Sequence, residues 1–178
     1  MKKRILAFAG STSSTSINKK LATFAAENLS KTEFDVADLR DYTMPIYSED
    51  EENENGFPSN AEKFSSLLDK YDGFILSLAE HNGSYAAAFK NIFDWSSRIN
   101  VKVFRNKPLL LMATSPGARG GQSVLQDGMS KFPHLGAESI VSFSLPSFGD
   151  NFKEGKIIDE DLLKQLQTAV KNFEESLS

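Results

Sequence analysis

The chain has no cysteine. Disulfides, thiolate nucleophiles and Cys-ligated metals are therefore excluded. Its two histidines, His81 and His134, are too few for a histidine-rich metal site. Two phosphate-loop patterns are missing, Gly-x-x-x-x-Gly-Lys-Ser/Thr and Gly-x-Gly-x-x-Gly. The first apolar run ends without an aspartate, which removes the acidic Mg²⁺ site of a response-regulator receiver. No apolar run approaches the ~20 residues of a membrane span. Behind Met1-Lys2-Lys3-Arg4 the apolar stretch runs only from Ile5 to Ala9. That is shorter than the ~7–15 residues of a secretory signal core, so a cytoplasmic location is expected. A basic excess is also lacking. The net charge of −4 argues against a nucleic-acid partner. It leaves a phosphate-bearing ligand open, because helix N-termini bind phosphate without net positive charge.

What is present is an alternation of short apolar runs and helical patterns. Ile5–Ala9, Gly73–Ala79 and Leu109–Thr114 read as strands buried on both faces of a parallel sheet. Phe34–Leu39 reads as a further strand, with Phe34, Val36, Ala37 and Leu39 inward, and Ala137–Phe143 as the last. Pro108 is placed at the start of its strand, where no ladder N–H is needed. Leu21, Phe24, Ala25 and Leu29 fall at helical spacing behind a Ser16 cap. Ser59 is expected to cap a helix through Phe64, Leu67 and Leu68. Another helix runs from Ala86 to about Ile99, with Trp95 off its apolar stripe, another from Gln122 to about Lys131, and a last one from Asp159 to Leu177. The acidic run Ser48–Asn55 reads as a solvated loop within a long aperiodic stretch, Asp41–Asn60, which loop length alone leaves open as a lid. Strands alternating with helices imply a three-layer α/β/α sandwich. Five parallel strands in the flavodoxin-like order 2-1-3-4-5, forming one domain over 1–178, are expected.

Three loops follow strand ends, where open α/β sheets bind ligands. The first, Gly10 to Ser16, is an unbroken run of hydroxyl residues after Gly10, with Asn18 just beyond. Such hydroxyls and the free amides of a helix start suit a phosphate. Lys19 and Lys20 in the first helical turn oppose the helix dipole, a conflict that a bound phosphate would offset. The alternative is a Ser16 cap with both lysines in water. The second loop, Glu80-His81-Asn82-Gly83-Ser84, either lies along a ligand, with Gly83 allowing close approach, or is an ordinary βα turn. The third, Ser115 to Gly121, carries Gly117, Gly120 and Gly121 around Arg119. It either turns backbone donors toward a ligand edge, with Arg119 meeting a cofactor phosphate, or is a flexible glycine-rich surface loop.

These residues resemble the NADPH-dependent FMN reductases, a branch of the flavodoxin-like proteins that includes quinone, azo-dye and chromate reductases. The resemblance rests on Glu80-His81-Asn82-Gly83-Ser84 followed by Lys90-Asn91 and Asp94-Trp95, on Gly10-Ser11 with Ser16 and Asn18, and on Ser115 with Gly117 and Gly120-Gly121. It implies that Ser11, Ser13, Ser16, Ile17 and Asn18 surround an FMN phosphate. It places Glu80, His81, Asn82 and Gly83 along the flavin ring with Ser84 supporting the turn, and Ser115 and the amides after it at the ring's polar edge. It also implies NADPH or NADH as donor, a small quinone-like acceptor, and a homodimer or homotetramer with Phe89, Phe93 and Trp95 on an interface helix; the alternative for the two phenylalanines is plain core packing of that helix on the sheet. The flavin carries the chemistry, so no side chain is assigned as acid, base or nucleophile. A flavodoxin-type electron carrier and a non-enzymatic ligand-binding member of the fold are the other two readings. Four positions depart from the family's usual form: Ser13 stands for arginine, His81 for tyrosine, and Ala79 and Ala86 for prolines.

Overall fold

The computed structural model describes residues 2–177. Five parallel strands, β1 (Arg4–Gly10), β2 (Glu33–Val36), β3 (Gly73–Leu78), β4 (Lys107–Thr114) and β5 (Ala137–Leu145), pair in the order β2-β1-β3-β4-β5. The helices are α1 (Ile17–Glu27), α2 (Glu49–Asn55), α3 (Ser59–Leu68), α4 (Ala87–Ile99), α5 (Gln122–Lys131), the single turn α6 (Phe148–Asn151) and α7 (Glu160–Glu175). Short hairpins occupy Glu80–Tyr85 and Phe152–Ile157. The fold is the flavodoxin-like sandwich expected from the sequence.

Strand periodicity builds the two cores. Leu6, Phe8, Phe74, Leu76, Leu109 and Leu111 point to one face and meet α3, α4 and α5. The intervening Ile5, Ala7, Ile75, Leu110 and Met112 point to the other and meet α1 and α7. Every residue of β3 is buried, which is why its sequence reads as a continuous apolar run.

Several elements differ from the sequence reading. β2 is a short edge strand, so Phe34 and Val36 are not inward: they are 37% and 38% exposed. Leu39 is buried as expected, but in a 3₁₀ turn beyond the strand. The acidic run is not a loop but α2. The Ser48 hydroxyl caps it by accepting from the Glu51 N–H, and its first turn is entirely acidic, where negative charge favours a helix. Pro58 rather than Ser59 precedes α3, and no side chain caps that helix. Pro108 lies inside β4, paired with Glu138, and the ladder is irregular there. Proline offers no N–H, and β5 takes up the extra residue beside Ser139, whose φ is +46°.

Glu174 ties the last helix to the sheet edge. Its carboxylate accepts from the Ser30 N–H at 3.1 Å, the Lys31 N–H at 2.8 Å, and the hydroxyls of Ser30 (2.8 Å) and Thr32 (3.1 Å). Burial pushes its pKa up, but these donors outweigh it and hold the carboxyl below its ordinary value. The stabilisation is therefore present above the ordinary glutamate pKa and lost as pH falls through the lower folded value. Glu174→Gln should cost ~1–2 kcal/mol near neutral pH. Urea unfolding of both proteins at neutral and strongly acid pH checks this, because the difference should shrink in acid.

Candidate functional site

The chain leaves β1 toward β2 on one side and returns to β3 on the other. The carboxyl ends of β1 and β3 are thus neighbours at the point where strand order reverses, the usual ligand position in such sheets. A cleft of about 330 Å³ opens there. It is lined from the first loop by Ser11, Ser13, Thr15, Ser16, Ile17 and Asn18, and from the other two by Ala79, Glu80, His81, Thr114, Ser115 and Pro116. All three loops read from the sequence therefore meet in one place.

The first loop is shaped by its own hydroxyls. Ser11 Oγ accepts from the Ser13 N–H at 3.1 Å, and the Ser16 N–H donates to the Ser13 carbonyl. Ser16 caps α1 by accepting from the Lys19 N–H at 3.1 Å. The amides of Ile17 and Asn18 stand at the helix start with no preceding turn to accept from them. Together with the Ser11, Ser13 and Thr15 hydroxyls they make a donor-rich anion cradle.

The Asn18 side chain is buried and its bonds run inward. Its Oδ1 accepts from Ser77 Oγ at 2.7 Å and the Thr114 N–H at 3.0 Å, and its Nδ2 donates to the Thr114 carbonyl at 3.1 Å. Asn18 therefore fixes α1 to the ends of β3 and β4, leaving its backbone amide to serve the cleft. Ser77 is the polar member of a buried strand, and alternation aims it at α1. The Lys19 ammonium is held by Asp38 at 2.5 Å, so a bound anion is not needed to explain that lysine. Hydrogen bonds from Arg40, against burial and with help from Lys19, keep the Asp38 carboxyl well below the usual carboxylate range.

The second loop is a tight hairpin, with Glu80 opposite Tyr85 and His81 opposite Ser84. Its two turn residues, Asn82 and Gly83, have φ of +52° and +75°, the conformation of a type I′ turn. Asn-Gly is the strongest short hairpin signal, and the sequence carried it. A Cβ at Gly83 would meet no protein atom within 4 Å, so within the chain it is the backbone conformation that calls for glycine. The Glu80 carboxylate reaches α5, accepting from the amides of Ser123 at 3.0 Å and Val124 at 3.3 Å. It supplies the cap that Gly121 cannot, and so braces the second loop against the third.

The third loop is pinned rather than loose. Ser115 Oγ donates to the Gly117 carbonyl, and the Ser147 and Phe148 amides donate back to Gly117 and Ser115. Gly120 and Gly121 are buried against β5 and β4. Arg119 is exposed in the turn before α5 and donates to Ser123 Oγ of that helix at 3.1 Å. Thus Ser11, Ser13, Ser16, Ile17, Asn18, Glu80, His81 and Ser115 come together in the cleft. Asn82, Gly83, Ser84, Gly117, Arg119, Gly120 and Gly121 do not line it. Thr15, Ala79, Thr114 and Pro116 line it without having been singled out. Thr15 was legible as part of the hydroxyl run.

Asn91 and Trp95 act on the neighbouring strap. Asn91 accepts from the Tyr47 N–H at 2.8 Å and donates to the Pro45 carbonyl, which also receives the Trp95 indole N–H at 2.9 Å. Glu52 of α2 accepts from the Tyr47 hydroxyl and from Arg98. The stretch expected as a loop or lid is clamped onto α4. Phe89, Phe93 and Trp95 are buried within this chain, at 3%, 8% and 0% exposure, and the two phenylalanines pack in the core between α4 and the sheet.

Ala86 precedes α4 with φ of −58° and ψ of 133°, a geometry proline adopts, and no acceptor is found for its N–H among the described residues. Ala86→Pro is expected to stabilise the chain by ~0.4–1 kcal/mol. Thermal unfolding checks it, and a lowered midpoint would show that the ring does not fit.

Residues 3–150 match the family model described as NADPH-dependent FMN reductase. The chain is 33% identical over 78 residues to a quinone reductase of Escherichia coli, a match covering 44% of this chain and 42% of that protein. It is 28% identical over 172 residues to a probable NADPH:quinone oxidoreductase of Oryza sativa, covering 92% of this chain and 83% of the relative. Among solved structures, the flavoenzyme NAD(P)H:(acceptor) oxidoreductase FerB of Paracoccus denitrificans superposes with a TM-score of 0.77 at 24% identity, covering 98% and 97% of the two chains.

Proposed function

The chain belongs to the NADPH-dependent FMN reductase family, and from that premise we propose that it is an NAD(P)H-dependent oxidoreductase holding FMN in the cleft at the ends of β1, β3 and β4. The observation that carries this reading is the convergence of the three loops on one donor-rich cleft. The lining fits a phosphorylated ligand. It offers hydroxyls and helix-start amides, and its one carboxylate, Glu80, is committed to the amides of α5.

When bound, FMN supplies hydride acceptance and release; the protein supplies binding and orientation. Ser11, Ser13, Thr15 and the amides of Ile17 and Asn18 hold the phosphate. With serine in place of arginine at position 13, that grip depends on neutral donors and the helix dipole. The Glu80–Tyr85 hairpin and Ser115 present backbone groups along the ring. His81 is exposed on the hairpin and lines the cleft. The acceptor is a small quinone-like molecule. The chain works as a single FMN-binding domain over 1–178, in the cytoplasm and as a homodimer or homotetramer.

The test is anaerobic addition of NADPH or NADH to the FMN-loaded protein. The visible flavin band should bleach and return when a quinone is added. A band that resists both nicotinamides yet bleaches with dithionite would overturn the reading in favour of an electron carrier.

A further inference from the structure

Lys19 and Lys20 sit in the first turn of α1, where positive charge opposes the helix dipole. Neither lines the cleft at the ends of β1, β3 and β4. Asp38 pairs with Lys19, whereas Lys20 is exposed and makes no ion pair among the described residues. Both line a second cleft, of about 580 Å³, on the other side of the Ser14–Ser16 turn, between α1 and the Phe152–Ile157 hairpin. Ser16 lines both clefts, so the two adjoin across one turn.

The second cleft is built unlike the first. Its wall is aromatic: Phe24 meets Phe152 edge to face at 5.6 Å, and Phe148 stacks on Phe152 at 4.8 Å. Its charge is graded. Ser14, Ser16, Lys19 and Lys20 form the end beside the phosphate cradle, while Glu27 and Glu154 stand on the rim, Glu27 at the far end of α1. A cation and hydroxyls beside an aromatic wall suit a flat heteroaromatic base carrying a phosphate. Carboxylates suit the amino group and sugar hydroxyls of the same molecule.

We propose that this cleft takes the adenosine-phosphate half of the nicotinamide dinucleotide, with Lys20 on the phosphate and the purine against Phe152. The inference rests on the oxidoreductase reading above, because that reading supplies the dinucleotide. It gives Lys20 an anion of its own, distinct from the FMN phosphate, while Lys19 keeps Asp38.

Calorimetric titration of the FMN-loaded protein with adenosine 2′,5′-bisphosphate tests it. Binding that competes with NADPH and weakens about tenfold in Lys20→Ala, the loss of one charge-assisted hydrogen bond, is the expected result. Phe152→Leu should weaken it further, and FMN affinity measured in both variants reports on folding. Adenosine monophosphate binding as tightly as the bisphosphate would place the 5′-phosphate, not the 2′-phosphate, on Lys20, and supports the site. Unchanged bisphosphate affinity in both Lys20→Ala and Lys20→Glu would overturn the proposal while leaving flavin bleaching by NADPH intact. Lys20-dependent nucleotide binding with no bleaching by either nicotinamide would retain a nucleotide cleft and sink the oxidoreductase reading instead.

Discussion

Replacing Asn18 by leucine is expected to destabilise the chain by about 3–4 kcal/mol and to abolish tight flavin binding. The side chain is 3% exposed and joins three elements, through Ser77 Oγ and through both the N–H and the carbonyl of Thr114. Leucine fills a similar volume but leaves those buried groups without partners, at ~1–3 kcal/mol for each group that finds no other. Such losses are not additive, so the expected total is nearer the low end of the sum. For a chain of this length the midpoint should fall by about 2–4 °C per kcal/mol. The functional effect follows from position. Asn18 holds the start of α1 against the ends of β3 and β4, so its loss lets the anion cradle shift relative to the other two loops. Ser77→Ala is the graded comparison. It removes one donor while Asn18 keeps Thr114, and should cost about 1 kcal/mol. Denaturant unfolding and flavin titration on both variants check the pair. An Asn18→Leu protein within 1 kcal/mol of the original would show that this network does not hold the switch point together.

Gly120→Ala should be nearly as severe, at about 3 kcal/mol. Its φ of +58° is a left-handed conformation, costing roughly 1–2 kcal/mol for a residue with a Cβ. The added carbon would also lie 2.4 Å from Ser144 Oγ, 3.0 Å from the Pro146 nitrogen and 3.1 Å from the Leu145 carbonyl carbon. The serine could turn away, though only by giving up its bond to the Gly120 carbonyl at 2.9 Å. The two backbone atoms cannot. Overpacking of this kind adds ~1–3 kcal/mol. Gly117→Ala is the control. A Cβ there meets nothing and φ is not positive, so the change should stay within about 0.5 kcal/mol. Equal effects at the two positions would contradict the view that the third loop is pinned through Gly120.

The sheet was legible because β1, β3 and β4 are buried on both faces and write themselves as apolar runs. β2 was less so. As an edge strand it exposes Phe34 and Val36, and alternation there does not report which side is inside. α2 was hidden because its stability comes from a Ser48 cap, an acidic first turn and Glu52 bonded to Tyr47 and Arg98, not from an apolar stripe. Trp95 fell off the stripe of α4 for a related reason: it packs under the Pro45 strap, which lies beside the helix rather than on the sheet.

The three loops could be found from sequence because each follows a strand end and is rich in small polar residues. Which atoms serve the cleft could not. Asn18 and Glu80 look like ligand-facing groups in a motif, yet both side chains are spent bracing the loops. Only their tertiary partners, Ser77 and Thr114 for one and the α5 amides for the other, show it. Gly120 and Gly121 likewise look like open donors and are buried. The Asn82-Gly83 turn signal, by contrast, was present in the sequence, and the hairpin could have been drawn from it.

The central claim is that the loop from Ser11 to Asn18 is a phosphate cradle within a flavin site. Parallel titrations with FMN and riboflavin, followed by quenching of flavin fluorescence, test it most directly, since the two ligands differ only in the phosphate. FMN should bind at least about 100-fold more tightly, the worth of two charge-assisted hydrogen bonds. Equal affinity for the two, or binding of neither, would contradict it.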